Sequence, residues 1–339
     1  MNSLKTIPYI DLHCDTVLAL WELEQKGHKA GLKENELHID LQKLKTGGCM
    51  AQFFALFTEL KADPSPEHRA LSLYDKYCRI LDECSDDLRP VLTKSDLENN
   101  RKDNRISAIL SLEEGDVVFR DLAMLRNWQR MGVRMIALTW NYPNSIGYPN
   151  ISMDDLSDYK KPIPVFHVEE EKGLTEFGKE YVRECERLGI LVDVSHLGDK
   201  AFWDVIEIAR KPVIASHSNS RKICRFPRNL TDEMIKAIAD TGGVIGLNFC
   251  ADFLNLEAED HMRLDDLLIH IDHIKEVGGI DCLGLGSDFD GIHSELEIKD
   301  ASGMQKIAEA LNKAGYSEEE IEKIFCKNVL RVLEQVLPE

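Results

Sequence analysis

The chain has 339 residues, of which 43% are hydrophobic, and a formal net charge of −19. This apolar content suffices for a large core, and barrel domains commonly reach this length as one unit, so we expect a single domain over residues 1–339. The acidity argues against a nucleic-acid partner, because binding a phosphate backbone needs clustered Lys and Arg.

The sequence carries no sign of export or membrane insertion. Residues 1–9 hold no long apolar run, no stretch of roughly 18 apolar residues occurs, and the chain ends Leu-Pro-Glu without a hydrophobic tail. The nine cysteines form no CxxC pair, so we interpret them mostly as small buried apolar residues. We therefore expect a cytoplasmic protein with no membrane contact.

Short apolar runs alternate with helical patterns along the chain. The runs show little strict alternation, which is typical of parallel strands covered on the outside by helices. The eight runs are residues 9–13, 49–57, 106–113, 133–140, 189–196, 212–217, 242–249 and 282–290.

Amphipathic segments between these runs carry signals of helix boundaries. Segments 119–131, 175–188, 231–241 and 264–277 are each followed by a glycine, which suits the left-handed residue after a helix. Ser317 followed by Glu320 indicates a capping box for a last helix at 318–335. Eight strands separated by helices predict a (β/α)₈ TIM-type barrel. A doubly wound open sheet is the alternative.

Two connections are longer than this alternation requires, at residues 14–48 and 141–174. Loops of such length in a compact domain are usually functional or disordered. Because each follows the C-terminal end of a predicted barrel strand, we expect them to form walls or a lid of an active site. A surface insertion is the alternative.

Residues His13 and Asp15 end the first predicted strand. On an extended strand they share a face, while Cys14 turns away. An imidazole nitrogen beside a carboxylate oxygen can bind one metal ion. By itself the pair is weak evidence for a metal site, but its position at the end of a predicted strand strengthens that evidence.

Four other predicted strands also end in a histidine or an acid, at the end where TIM barrels carry catalytic groups. These residues are Glu113 or Glu114, His196, His217 and Asp288. Three histidines with three carboxylates exceed the needs of one tetrahedral zinc, so we expect a carboxylate that bridges two metals about 3.5–4 Å apart. Alternation lets only one of the adjacent glutamates face the barrel mouth, and we favour Glu113.

Five motifs in order along the chain make the sequence similar to the membrane dipeptidase (renal dipeptidase) family of zinc hydrolases. They span most of the chain and form a highly specific set. The motifs are Asp11-Leu12-His13-Cys14-Asp15-Thr16, Ser111-Leu112-Glu113-Glu114-Gly115, Asp193-Val194-Ser195-His196, Ser216-His217-Ser218 and Asp288-Phe289-Asp290-Gly291.

This resemblance implies two Zn²⁺ ions per chain. It assigns the first zinc to His13 and Asp15, the second to His196 and His217, and a bridging role to Glu113. The implied nucleophile is a water or hydroxide between the metals, whose pKa the two cations lower.

The resemblance also assigns roles around the metals. Asp288 takes a proton from the nucleophile and passes it to the leaving amine, although a helix cap or a buried structural acid is another reading. Arg228 grips the terminal carboxylate of the substrate, since a guanidinium fork matches two oxygens. Arg221 and Arg225 are its rivals, and a solvated basic loop is the alternative.

One position departs from the family pattern. Mammalian members carry a His after the Leu-Thr of the fourth strand, thought to stabilise the oxyanion, whereas this chain continues Trp140-Asn141. Either Trp140 or Asn141 replaces the histidine as hydrogen-bond donor, or zinc alone polarises the carbonyl. An equally weighted alternative is that Trp140 is an aromatic residue of the hydrophobic core. We place both residues at the substrate.

The function implied is hydrolysis of dipeptides, including those with a D-residue at the C-terminal position, in a small pocket closed by 141–174. Another metal-dependent amidohydrolase (deaminase, lactonase or phosphotriesterase) is the nearest rival, but such enzymes commonly begin with HxH and often bridge with a carboxylated lysine. A non-catalytic metal-binding protein on the same fold is the rival from another class. Family members often form homodimers, although no feature of this sequence indicates one.

Overall fold

Parallel strands close on themselves at the centre of the computed structural model, which describes residues 6–62, 64–152 and 171–339. In chain order the strands are β1 (Tyr9–Asp11), β2 (Cys49–Phe57), β3 (Leu88–Pro90), β4 (Ile106–Glu113), β5 (Val133–Ala137), β6 (Leu191–Asp193), β7 (Ile214–Ala215), β8 (Val244–Leu247), β9 (His261–Met262), β10 (Leu283–Leu285) and β11 (Glu295–Leu296).

The barrel has the order β2-β1-β10-β8-β7-β6-β5-β4, and β4 pairs back with β2 to close the ring. Phe57 pairs with Glu113, Glu113 with Ala137, and Ala137 with Asp193, so these strand ends lie at one level of the barrel. The eight-stranded TIM-type barrel predicted from the sequence is therefore confirmed, and the open sheet is wrong.

Helices cover the outside of the barrel. They are α1 (Thr16–Gln25), α2 (Leu41–Gly47), α3 (Pro66–Glu83), α4 (Lys94–Lys102), α5 (Leu122–Arg130), α6 (Glu176–Leu188), α7 (Asp199–Ile208), α8 (Asp232–Asp240), α9 (Ala251–Leu254), α10 (Leu264–Gly278), α11 (Gln305–Lys313), α12 (Glu318–Glu322) and α13 (Asn328–Val336). Among the described residues, none of these helices combines the length and apolar character needed to cross a bilayer.

Local signals in the sequence set several helix ends. Thr175 and Thr231 accept hydrogen bonds from the third residue of α6 and α8, and Ser317 with Glu320 forms the predicted capping box at α12. Gly189 (φ 72°) ends α6 in the left-handed conformation that glycine tolerates. The predicted helix 318–335 instead divides, because a π-helical turn separates α12 from α13.

The connection at 14–48 contains two helices, α1 and α2, and is not one continuous loop. The strands β3, β9 and β11 have no counterpart among the predicted runs. β3 extends the barrel beside the N-terminal half of β4, while β9 and β11 pair with each other. The expected lid at 141–174 falls partly on residues 153–170, which lie outside the described residues.

Apolar side chains fill the lower part of the barrel interior. Ile10, Phe53 and Ile109 point into it from β1, β2 and β4, and Val329 and Leu333 of α13 pack against this cluster. A separate apolar layer lies between the strands and the outer helices. Because α13 closes the N-terminal end, polar groups can collect at the opposite end of the strands, where active sites of such barrels lie.

A buried histidine ties two loops of that upper end to α10. The Nδ1 atom of His270 accepts a hydrogen bond from Ser220 N at 3.0 Å, and its Nε2 donates to Leu254 O at 2.9 Å. Burial lowers the pKa of His270 to about 4. The imidazole is therefore neutral in the folded protein at neutral pH.

This histidine predicts a pH-dependent stability. The unfolded chain binds the proton at an ordinary pKa of about 6.5, so the stabilisation is complete above that pH and is lost as pH falls towards 4. We expect the free energy of unfolding of the wild type, relative to His270→Gln, to fall by up to about 3 kcal/mol between pH 7 and 4. Urea unfolding midpoints of both proteins across this range check it, and parallel pH curves would contradict it.

Candidate metal centre

The first predicted ligand pair lies just beyond β1, which ends at Asp11. Strand alternation therefore does not govern His13 and Asp15, yet His13 Nε2 is 3.4 Å from Asp15 Oδ2. Asp11 fixes this turn, since its carboxylate accepts from Ser287 N and Oγ (2.8 and 2.7 Å) and from Gln52 Nε2 (3.0 Å). Burial raises the pKa of Asp11 to about 6.

Glu113 ends β4 with its two oxygens facing different histidines. Its Oε2 is 3.2 Å from His13 Nε2, and its Oε1 is 3.0 Å from His196 Nε2. Glu114 turns away at φ 93° and accepts from Trp140 N (3.1 Å) and Asn144 Nδ2 (2.6 Å). The structure thus brings Glu113, and not its neighbour, to the histidines.

The second histidine pair follows β6 and β7. His196 adopts φ 68°, a conformation uncommon outside glycine, and its Nε2 lies 3.1 Å from His217 Nε2. The ring of His217 stacks on that of His13 with centroids 3.9 Å apart. All three predicted histidines therefore meet in one buried cluster.

Asp288 joins the same cluster from the end of β10. It also has a positive φ of 63°, and its Oδ1 is 3.8 Å from His13 Nε2. Its Oδ2 accepts from Asn248 Nδ2 at 2.9 Å. Two groups of three residues each bring their possible ligand atoms within 4.8 Å of one another. One group is His13, Glu113 and His217, and the other is His13, Asp15 and Asp288.

Burial and mutual proximity shift the pKa values of these groups. Burial, with Asp15 and Asp288 nearby, raises the pKa of Glu113 to about 7 even though His13 opposes the shift. Burial also raises the pKa of Asp288. Burial lowers the pKa of His196 and His217, whereas for His13 the nearby Glu113 and Asp15 outweigh burial and raise it.

The side chains fit a metal ion on two observations. Among the described residues, His13 Nε2 and Asp15 Oδ1 are buried without a hydrogen bond of acceptable geometry. The imidazole nitrogens and carboxylate oxygens that converge here are the donor types zinc prefers. A divalent cation among them would relieve both the unpaired atoms and the repulsion between carboxylates.

Three arginines compete for the carboxylate-binding role, and their surroundings differ. Arg228 is 2% exposed; its Nη2 donates to His217 O at 3.2 Å, while Nε and Nη1 have no hydrogen-bond partner among the described residues. Arg221 forms a two-pronged ion pair with Asp199 (2.6 and 2.8 Å). Arg225 is exposed. Arg228 is thus the buried guanidinium with free donors beside the histidines.

Trp140 and Asn141 follow β5 at the edge of the cluster. The half-buried Trp140 ring packs edge-on against Phe57 (centroids 4.8 Å) and lies 6.4 Å from the ring of His196. The Asn141 Oδ1 atom is 2.8 Å from His196 Nδ1. The amide oxygen therefore contacts the back of a predicted ligand.

Sequence reasoning missed residues that shape the cluster without joining it. A Cβ atom on Gly291 would lie 2.1 Å from Asp15 Oδ2 and 2.7 Å from Asp288 Oδ1, so only glycine leaves these carboxylates their room. Asn248, which holds Asp288, follows β8 in an apolar run with no motif around it. Gly291 did stand in a recognised motif, which was its available signal.

Comparison with known proteins agrees with this geometry. A family model described as membrane dipeptidase (peptidase family M19) matches residues 2–337. The chain belongs to the membrane dipeptidase family. Membership confirms the predicted family, makes the chain a metallo-hydrolase, and implies a bound metal, typically zinc.

Individual relatives match most of this chain. An uncharacterised dipeptidase of Schizosaccharomyces pombe is 32% identical over 308 residues, which cover 87% of this chain and 71% of the relative. A solved M19 metallo-dipeptidase superposes with a TM-score of 0.87 at 28% identity, covering 99% of this chain and 100% of that one. A Rhodobacter sphaeroides metallopeptidase, solved with a phosphinate mimic of L-Ala-D-Ala, gives 0.86 at 26% identity, covering 98% and 100%.

Gly291 yields a test of this dipeptidase site. In Gly291→Ala the new methyl group would displace the carboxylates of Asp15 and Asp288. We expect at least about 10-fold weaker metal binding with an unchanged circular dichroism spectrum, in the range seen when residues supporting metal ligands are altered. Competition with a chromophoric chelator measures the affinity. Gly31→Ala, whose methyl would meet only the Glu83 carboxylate at 3.3 Å, is the control. Equal affinity in both variants would contradict the role of Gly291.

Proposed function

We propose that the chain is a binuclear zinc dipeptidase that hydrolyses the peptide bond of dipeptides, including those with a C-terminal D-residue. The proposal rests on one observation: five buried side chains meet at the barrel mouth, namely His13, Asp15, Glu113, His196 and His217. The ligand atoms of His13, Glu113 and His217 lie within 4.8 Å of one another. The Rhodobacter sphaeroides relative, bound to an L-Ala-D-Ala mimic, supports the substrate class.

In this proposal His13 and Asp15 would hold one zinc, His196 and His217 would hold the other, and Glu113 would offer one oxygen to each. Support for the bridge comes from the two Glu113 oxygens, which face His13 and His196 separately. When bound, two such cations lower the pKa of a water held between them and polarise a carbonyl oxygen.

Asp288 moves the proton in the proposed reaction. Asn248 holds one of its oxygens, and the other faces the cluster near His13. Burial raises the pKa of this carboxyl, which favours accepting a proton from the attacking water and returning it to the leaving amine. Its left-handed backbone, φ 63°, fixes the side chain at the mouth of the barrel.

Substrate orientation falls to Arg228, together with Trp140 and Asn141. A buried guanidinium with unpaired donors would bind the terminal carboxylate of a dipeptide in two-pronged fashion. The half-buried Trp140 offers an aromatic wall beside His196. Which donor replaces the family's oxyanion-stabilising histidine stays a prediction, shared between these two residues.

We further propose that residues 1–339 form one catalytic domain, since barrel strands run from Tyr9 to Leu285 and α13 packs against the barrel interior. A homodimer and a cytoplasmic location stay predictions.

The central test combines metal analysis with a dipeptide panel on wild type and Glu113→Gln. We expect about two zinc ions per wild-type chain, as in two-metal hydrolases, and turnover of L,L- and L,D-dipeptides but not of lactones or phosphotriesters. Glu113→Gln should bind less metal, and its kcat/KM should fall by more than about 100-fold. That loss exceeds the range expected when a residue only supports a metal ligand. Glu98→Gln, on the outer helix α4 with a largely exposed side chain, is the matched control and should keep its metal. A Glu113→Gln enzyme with full metal and turnover would refute the bridge.

The Arg228 role predicts a loss that depends on the substrate carboxylate. We expect Arg228→Met to raise KM for a dipeptide about 10- to 100-fold, the range for a hydrogen bond to a charged group. Against the matching dipeptide amide, which lacks that carboxylate, wild type and variant should be alike. Steady-state kinetics with both substrates give the comparison. An equal penalty on dipeptide and amide would mean that Arg228 acts elsewhere.

A further inference from the structure

The two histidines at the proposed second zinc have their rear nitrogens engaged by polar side chains. His196 Nδ1 lies 2.8 Å from Asn141 Oδ1, and His217 Nδ1 lies 2.7 Å from Ser216 Oγ. All four residues are nine-tenths or more buried, so water does not compete for these contacts. The proton arrangement at each ring is therefore set by its protein partner.

At His196 the partner is an amide oxygen, which can only accept a hydrogen bond. The proton must therefore sit on Nδ1, and the Nε2 lone pair is left facing Glu113 Oε1 at 3.0 Å. The segment carrying Asn141 is itself held in place, because the Glu114 carboxylate accepts from Trp140 N and Asn144 Nδ2. This gives a structural role to the buried glutamate that follows the proposed bridging one.

At His217 the partner is a hydroxyl, which can donate or accept, so a further group must decide. Ser216 Oγ donates to Asp193 Oδ2 at 2.5 Å. The other Asp193 oxygen accepts from Ser195 N and Ser216 N, both at 2.9 Å. A carboxylate only accepts, so it takes the single Ser216 proton. The Ser216 oxygen must then accept from His217 Nδ1.

The alternative neighbour of Ser216 does not change this order. Ser195 Oγ is 3.4 Å from Ser216 Oγ, and it accepts from His217 N at 3.1 Å. The chain of hydrogen bonds therefore runs from His217 Nδ1 to Ser216 and on to Asp193. Both rings then direct bare Nε2 atoms, 3.1 Å apart, to the same point.

We propose that Asn141 and the Asp193–Ser216 pair are positioning residues that fix His196 and His217 in the Nδ1-protonated tautomer, leaving both Nε2 lone pairs free for the metal. The inference deepens the proposed function and rests on it for the identity of the ligand. Partners behind metal-bound histidines of this kind typically affect metal affinity 10- to 100-fold.

Asp193→Asn is the sharpest test, because it changes no shape. One amide oxygen can keep the two backbone N–H groups, while the new Nδ2 donates to Ser216 Oγ. The nearest acceptor for the serine's own proton is then His217 Nδ1 at 2.7 Å, compared with 3.4 Å for Ser195 Oγ, so we expect the ring proton to move to Nε2. Replacing a carboxylate by an amide directly behind an imidazole selects the wrong tautomer, and here the same exchange would act through Ser216.

The measurement uses the full chain with ¹⁵N-labelled histidine, with and without zinc, and long-range ¹H–¹⁵N spectra at a pH where the rings are neutral. His217 signals are assigned by their loss in His217→Asn. We expect Nδ1–H in the wild type and Nε2–H in Asp193→Asn. Chelator competition should show one of two zinc ions bound about 10- to 100-fold more weakly in this variant.

Matched variants separate positioning from folding. Ser216→Thr and Asn141→Asp retain an oxygen behind each ring and should keep the wild-type tautomers, whereas Ser216→Ala and Asn141→Leu should not. An Asp193→Asn protein with Nδ1–H at His217, whatever its zinc affinity, would overturn the proposal. If the wild type bound no second zinc or cleaved no dipeptide, the proposed function would fail, while the tautomers of the metal-free chain would still be read directly.

Discussion

Closure of the eight-stranded ring is the constraint on which the site depends. Parallel strands in a closed barrel all end on the same rim, so residues that follow β1, β4, β6, β7 and β10 must meet there. His13 and Asp288 are separated by most of the chain, yet their side-chain atoms are 3.8 Å apart. The apolar lower interior and α13 keep the other end of the barrel shut.

The assembled rim is electrostatically unfavourable by itself. Three carboxylates and three imidazoles lie together out of bulk water. Burial is the largest cause that shifts the pKa of Glu113 and Asp288 upward and that of His196 and His217 downward. Groups placed this way are common at functional sites, where a cation or substrate compensates for the lost hydration. Left-handed backbone at His196 and Asp288 belongs to the same pattern, since such conformations persist where the surroundings enforce them.

A second layer of polar groups gives this cluster its geometry. Asp11, Asp193 and Glu114 are buried acids outside the proposed ligand set. Their carboxylates accept hydrogen bonds from Ser287, Ser216 and Trp140, respectively. Asn248 in turn donates to Asp288. The geometry of the rim therefore depends on residues that take no part in the reaction themselves. Residues that hydrogen-bond to metal ligands commonly orient those ligands in this way.

The sequence by itself determined the eight core strands, the boundaries of several helices and the residue types at the strand ends, because apolar runs, caps and motifs are local signals. It could not determine that α1 and α2 fill the 14–48 connection, that β1 stops before His13, or that Asn141 turns its oxygen to His196. Only the resemblance favoured Arg228 over Arg221 from the sequence. The fold supplies the physical difference, because Asp199 pairs with Arg221, whereas two Arg228 donors have no hydrogen-bond partner among the described residues. Those outcomes depend on contacts between segments far apart in the chain, and such contacts exist only once the barrel has closed.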